Sequence, residues 1–233
     1  MSLQLIAFDA DDTLWAHESI FHDATNRYKT NLEHHVSHEV VEEKLYTCER
    51  ENLKHFGYGI KGFILSMIET AIEITEGKIT ASEIQEMVDL GKWMLSHPVE
   101  VLPNVQESLL QLKEEYKLIM ITKGDLFDQE SKIARSGLAE HFNDIHIVSE
   151  KDEACYQRIF EKHEVKPEDT VMVGNSLRSD ILPTAKIGGH AIHIPFHVTW
   201  LLEQVEDHHL HGITYHELSD IAMVPDFVRR LAS

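Results

Sequence analysis

Beyond residue 98 the sequence alternates between short apolar runs and amphipathic stretches, and this alternation limits the possible folds more than any other feature. Apolar runs at 117–122, 144–149, 170–173 and 190–195, with another at 3–8, have the length and composition of buried strands. Between the later runs, residues 104–115, 125–136, 152–164 and 180–187 read as helices. Pro103-Asn104 followed by Glu107 marks the start of the first helix, and Gly137 and Gly188 mark the ends of two others. Strands alternating with helices of this length predict an α/β fold: a Rossmann-like parallel sheet with helices on both faces.

Residues 17–98 break the pattern. They hold no convincing strand and read as four helices near 19–36, 38–56, 60–75 and 80–96. Ile64, Ile68, Ala71 and Ile72 recur at helical spacing, and Thr80 with Glu83 has the form of a capping box. The expected organisation is an α/β core of residues 1–16 and 99–233 with a small all-helical cap, 17–98, inserted after the first strand. Residues 12–18 and 98–103 are the expected tethers. A chain of 233 residues can bury a core without staples. The two cysteines, Cys48 and Cys155, exclude a disulfide framework and suit a reducing cytosol. No apolar run has membrane-spanning length and no secretory signal opens the chain, so a cytoplasmic location is expected.

Forty acidic residues against twenty-one basic ones give a net charge of −19, spread along the chain. Nucleic acids and anionic membranes bind through clustered Lys and Arg, so neither is expected as a partner. An anionic substrate would need a locally positive pocket built from a metal ion, one or two lysines and helix N-termini.

Ligands of parallel α/β sheets bind beyond the carboxyl ends of the strands. At those positions stand Asp9-Ala-Asp11-Asp12-Thr13-Leu14, then Thr122-Lys123-Gly124, then Lys151, then Gly174-Asn175-Ser176-Leu177-Arg178-Ser179-Asp180. Asp9 and Asp180 can share Mg²⁺, a hard cation that takes few carboxylates together with substrate phosphate. A carboxylate can also attack phosphorus, with Thr122 and Lys151 holding the equatorial oxygens of the transferring group.

These four stations, in this order, resemble the haloacid dehalogenase-like hydrolase superfamily over nearly the whole chain. The resemblance implies that Asp9 is the nucleophile, that Asp11 is the general acid/base, and that the Asp11 carbonyl joins the Mg²⁺ ligands. It also implies a phosphatase acting on a small phosphorylated metabolite, because an acid at Asp11 suits a departing alkoxide. Phosphomutase activity and a non-catalytic binding role are the alternatives. Two departures stand out. Asn175 replaces the usual aspartate, shifting metal coordination toward Asp180, and Lys151 lacks the common following proline, leaving Lys123 as a rival phosphate lysine.

Other residues attract less chemistry. His34, His35 and His38, and His208, His209 and His211, have no cysteine at zinc spacing and read as solvated. Gly57–Gly62 is a glycine-rich turn whose Tyr58 and Lys61 are candidates for contacting the leaving group, though a plain helix connection fits equally. Trp15, Thr199, Trp200 and Pro225 read as structural, and nothing in the tail suggests chemistry. Oligomeric state is not legible.

Overall fold

The structure is a computed structural model and describes residues 3–232. Six strands form one parallel sheet in the order β3-β2-β1-β4-β5-β6. They are β1 (Leu5–Phe8), β2 (Lys117–Lys123), β3 (Asp144–Val148), β4 (Thr170–Gly174), β5 (His190–His193) and β6 (His216–Glu217). β1 is central, pairing Phe8 with Met120 on one side and with Val173 on the other. Side chains alternate across it. Ile6 and Phe8 join Leu118, Met120, Val171 and Val173 in one buried cluster, while Leu5 and Ala7 join Ile119, Ile121 and Met172 in a second. Each face is thus apolar, as a sheet covered by helices on both sides requires.

The first cluster is closed by α5 (Val105–Leu112) and α9 (Val224–Ala232), the second by Tyr156, Ile159 and Phe160 of α7 (Glu153–Lys162). α6 (Leu126–Ser136) follows β2 and α8 (Leu182–Lys186) precedes β5. Gly137 and Gly188 follow α6 and α8 with φ of 71° and 92°, a region that favours glycine.

Three local expectations need correcting. Asn104 begins α5 but makes no side-chain cap; its φ is 63° and its amide instead meets Asp220 at 3.1 and 3.2 Å. The helix expected over 180–187 is split into a wide turn, Leu177–Ile181, and the short α8, because Ile181 N–H reaches back five residues to Ser176 O. β6 and α9 were not anticipated: β6 is two residues long, too short for a periodicity signal.

The chain divides into two compact units, one comprising Ser19–Pro98 with Gly124–Asp128 and the other the remainder. The first is helical: α1 (Glu18–Leu32), α2 (His38–Phe56), α3 (Ile60–Ile74) and α4 (Ala81–Ser96). Its core gathers Tyr28, Leu32, Val41, Leu45, Phe63, Met67, Ala71, Met87 and Met94. α3 and α4 approach closely at Gly91, where a Cβ would stand 2.8 Å from Ile64. Thr80 and Glu83 form the expected capping box: Glu83 N–H donates to Thr80 Oγ1 and Thr80 N–H to Glu83 Oε2. Gly124–Asp128 groups with this unit, and within it Lys61 Nζ lies 2.8 Å from Asp125 Oδ1. In the α/β unit the two connecting segments pair with each other, Ala16 N–H to Glu100 O and Leu102 N–H to Leu14 O.

Among the described residues no helix is long and apolar enough to cross a membrane.

Candidate active site

β1 ends at Phe8, and Asp9 continues its line for one residue, donating N–H to Val173 O at 2.9 Å. The chain then turns. Leu14 N–H returns to Ala10 O, and Asp12 adopts φ of 62°, a conformation Asp tolerates better than most residues. Asp12 Oδ1 accepts from His17 N–H at 2.7 Å and from Glu18 N–H at 3.1 Å, fixing the exit of the turn. As a result Asp9 and Asp11, two residues apart, have entirely different neighbours.

Asp9 faces a buried ammonium and a second carboxylate. Lys151 Nζ bonds Asp9 Oδ1 and reaches Asp180 Oδ1 at 2.7 Å, and all three side chains are buried. Burial and the charge of Asp180 push Asp9 up to about 7, against the opposing pull of Lys151. Burial disfavours the Lys151 charge, but Asp180 and Asp9 outweigh it and raise its pKa. Two carboxylates sharing one lysine leave the pocket with excess negative charge, which a divalent cation can offset.

Asp180 is held by its own loop. Its Oδ2 accepts Ser176 N–H at 3.0 Å, and a Cβ at Gly174 would lie 2.3 Å from that oxygen, so only glycine fits there. Tyr156 OH braces the same turn through Ser179 O at 2.9 Å. Asn175, with its side-chain amide nitrogen toward the acceptors, donates to Asp9 Oδ2 at 3.0 Å, Asp11 O at 3.2 Å and Thr13 Oγ1 at 3.2 Å. Its backbone carbonyl lies 3.0 Å from His193 Nε2.

Asp11 has the opposite surroundings. Lys132 Nζ stands 2.7 and 2.8 Å from its two oxygens, Gln129 Nε2 2.8 Å and Trp15 Nε1 2.6 Å away. Burial favours the protonated acid, but the charges of His17 and Lys132 and the hydrogen bonds hold Asp11 well below the usual carboxylate range. His17 itself is lowered to about 4, mainly by burial, so near neutral pH Lys132 supplies that charge.

Thr122, next to last in β2, is buried, and its hydroxyl has no hydrogen-bond partner. The following Lys123 is engaged elsewhere: its Nζ lies 2.5 Å from Glu203 Oε1 and 2.8 Å from Ser179 Oγ. Burial raises Glu203, yet Lys123 and the Ser176 and Ser179 hydroxyls, at 2.5 and 2.6 Å from Oε2, outweigh it and lower its pKa. Of the two rival lysines, Lys151 is the one in contact with Asp9. Tyr58 and Lys61 lie in the helical unit, where Lys61 pairs with Asp125 and rests 5.3 Å from the Phe127 ring centre.

Several of these residues escaped the sequence reading. Glu203 lies in the tail from which no chemistry was expected, and it bonds Lys123 and the Ser176 and Ser179 hydroxyls of the Gly174–Asp180 loop. Trp15, read as structural, is fully buried but also donates to Asp11. Lys132 and Gln129 left a readable signal: both are buried, three residues apart, on the α6 face that carries Ile133. Polar residues on the inward face of an amphipathic helix point to a polar partner inside.

A family model for haloacid dehalogenase-like hydrolases matches residues 3–188. A glyceraldehyde 3-phosphate phosphatase of Methanothermobacter thermautotrophicus is 28% identical over 242 residues, spanning 97% of this chain and 100% of that protein. Another, from Methanopyrus kandleri, is 27% identical over 194 residues, 80% of this chain and 81% of that protein. The crystal structure of a haloacid dehalogenase-like family hydrolase from Xanthomonas campestris superposes with a TM-score of 0.89 at 41% identity, covering 99% of this chain and 92% of that one. With its parallel sheet, its aspartates and lysine beyond the strand ends and its orphaned threonine in the last residues of β2, this chain belongs to the haloacid dehalogenase-like hydrolase family.

Proposed function

We propose that the chain is a Mg²⁺-dependent phosphatase that hydrolyses a small phosphate monoester through an aspartyl-phosphate on Asp9. The observation that carries this reading is the buried Asp9–Lys151–Asp180 group at the strand ends. The unpartnered Thr122 hydroxyl adds a donor of the kind that satisfies a phosphoryl oxygen.

An Asp9 oxygen attacks phosphorus, the ester P–O bond breaks, and the departing alkoxide takes a proton from Asp11. Water then attacks the aspartyl-phosphate and gives a proton to Asp11, releasing inorganic phosphate and restoring the Asp9 carboxylate. Thr122 and Lys151 hold phosphoryl oxygens throughout. Asp11 is ionised in its contact with Lys132, the form suited to the second step, and must gain a proton before the first.

The residues fit a hard cation, since every candidate ligand offers oxygen. The Asn175 amide nitrogen lies against Asp9 Oδ2 and the Asp11 carbonyl, two of the oxygens such a cation would take. Asp9, Asp180 and the Asp11 carbonyl would hold Mg²⁺, with Asn175 joining by turning its amide oxygen inward. When bound, the ion neutralises negative charge on the phosphoryl oxygens.

The helical segment 17–98 takes the part of a cap, with Tyr58 and Lys61 recognising the leaving group, and the enzyme acts in the cytoplasm on a phosphorylated metabolite. Relatives named as glyceraldehyde 3-phosphate phosphatases make that triose phosphate the first compound to test. The experiment is a screen of phosphorylated metabolites with Mg²⁺, scored by phosphate release, with Asp9→Asn as the blank. Absence of release from every short phosphomonoester would overturn the reading.

A further inference from the structure

Among the described residues, four of the seventeen histidines fall into two groups that, with a carboxylate, have the composition of a metal site. Their geometries differ. In the exposed group, His34 and His35 Nε2 lie 3.1 and 2.7 Å from Glu83 Oε1, ordinary hydrogen-bond lengths, and Glu83 is also committed to its capping box. That group is satisfied without an ion.

The second group is Asp144, His146 and His163. Asp144 and His146 are alternate residues of the edge strand β3, so they share the sheet face on which α7 packs, and His163 closes α7. The two Nε2 atoms stand 2.9 Å apart, and Asp144 Oδ2 lies 3.4 Å from that of His146 and 3.6 Å from that of His163. As hydrogen bonds the last two are too long. As edges of a coordination polyhedron these two fit, since ligand atoms about 2.0–2.1 Å from a tetrahedral zinc stand about 3.3–3.4 Å apart, whereas the two Nε2 atoms, at hydrogen-bond length, would have to open by about 0.4 Å to take the ion. The histidine side chains are only 12% and 6% exposed. Burial lowers the pKa of both rings, which favours the neutral imidazole a metal binds.

We propose that Asp144, His146 and His163 form a site for a zinc-class divalent transition metal that ties edge strand β3 to the end of α7. Two imidazoles and one carboxylate provide three ligands and leave a fourth position for water. The site is distinct from the Mg²⁺ oxygens of the strand ends, and its nitrogen ligands select a softer ion. It would join the first residues of β3 to the residue that closes α7, at the ends of both elements away from the connecting residues 149–152. One local competitor exists: Lys162 Nζ is 2.8 Å from Asp144 Oδ2, and its side chain is exposed enough to swing away.

The test uses the full-length protein stripped of metal and then saturated with Mg²⁺, so that the oxygen site is filled. Zn²⁺ is titrated by calorimetry and Co²⁺ by visible absorption, which reports four-coordinate geometry. One equivalent with a four-coordinate Co²⁺ spectrum is expected. His146→Gln and His163→Gln each should weaken Zn²⁺ binding by at least about tenfold, whereas His34→Gln leaves it unchanged. Lys162→Met, an exposed change that spares the fold, should tighten Zn²⁺ binding by removing the competitor. A wild-type protein that binds no equivalent overturns the proposal, as does binding unchanged by both histidine variants. Should the histidine variants not fold, unchanged affinity in Lys162→Met overturns it instead.

Discussion

The two units hide their interiors in opposite ways. The helical unit is filled by apolar side chains around Met67, and the hydroxyls buried there meet neutral backbone carbonyls: Ser66 Oγ donates to Gly62 O, Thr75 Oγ1 to Ala71 O and Tyr28 OH to Met67 O. The α/β unit instead buries Asp9, Lys151, Asp180 and Lys132, each against an opposite charge. Apolar burial is favourable in itself, whereas a buried ion is costly unless paired, and replacing a buried ion pair by well-packed hydrophobic residues is often neutral or stabilising. Charges concentrated at the strand ends are thus poorly explained by stability and well explained by chemistry.

The most severe test of this contrast removes the proposed nucleophile. Asp9→Asn should abolish phosphate release with the fold intact, and Asp11→Asn should slow it by about 10²–10⁴-fold, the range for a general acid or base. Near-normal turnover by folded Asp9→Asn would make the charged interior merely structural.

A second test separates the units by their response to metal. Lys151→Met leaves Asp9 and Asp180 facing each other without a cation and should cost about 3–5 kcal/mol in urea unfolding. Mg²⁺ should return part of that loss by binding the folded state. In the helical unit Met67→Ala opens a cavity costing about 2–5 kcal/mol, and Mg²⁺ should return none of it. Equal responses of the two variants to Mg²⁺ would erase the distinction.

The smallest expected effect concerns Lys61, half exposed in its pair with Asp125. Lys61→Ala should change stability by less than about 1 kcal/mol, as exposed ion pairs do. Together with Tyr58→Ala it should reorder the substrates in a metabolite screen while leaving the rate with a small aryl phosphate nearly constant. An unchanged ranking would return the Gly57–Gly62 turn to a plain helix connection.

Much of the fold was legible because its signals are local. The strand of residues 5–8, the glycines at 137 and 188 and the Thr80–Glu83 box each announce themselves within a few residues, through periodicity or backbone chemistry. The candidate residues were legible from position: Asp9, Asp11, Lys151 and Asp180 follow strands and Thr122 stands at the end of one, and parallel sheets gather such positions on one edge. Asn104 shows where local signals mislead. Its cap pattern was sound, but Asp220, distant in sequence, takes its amide.

What tertiary structure alone decided is the partnership of charges. Lys132 meets Asp11 across 121 residues, Glu203 meets Lys123 across 80, and His163 meets His146 across a whole helix. No periodicity links such pairs, because periodicity records only which face of an element is buried. Whether a buried polar residue faces a carboxylate, an ammonium or another imidazole depends on which element packs against it. At distances of a few ångströms within a low-dielectric interior, that choice sets the charge of the group and so the chemistry it can perform.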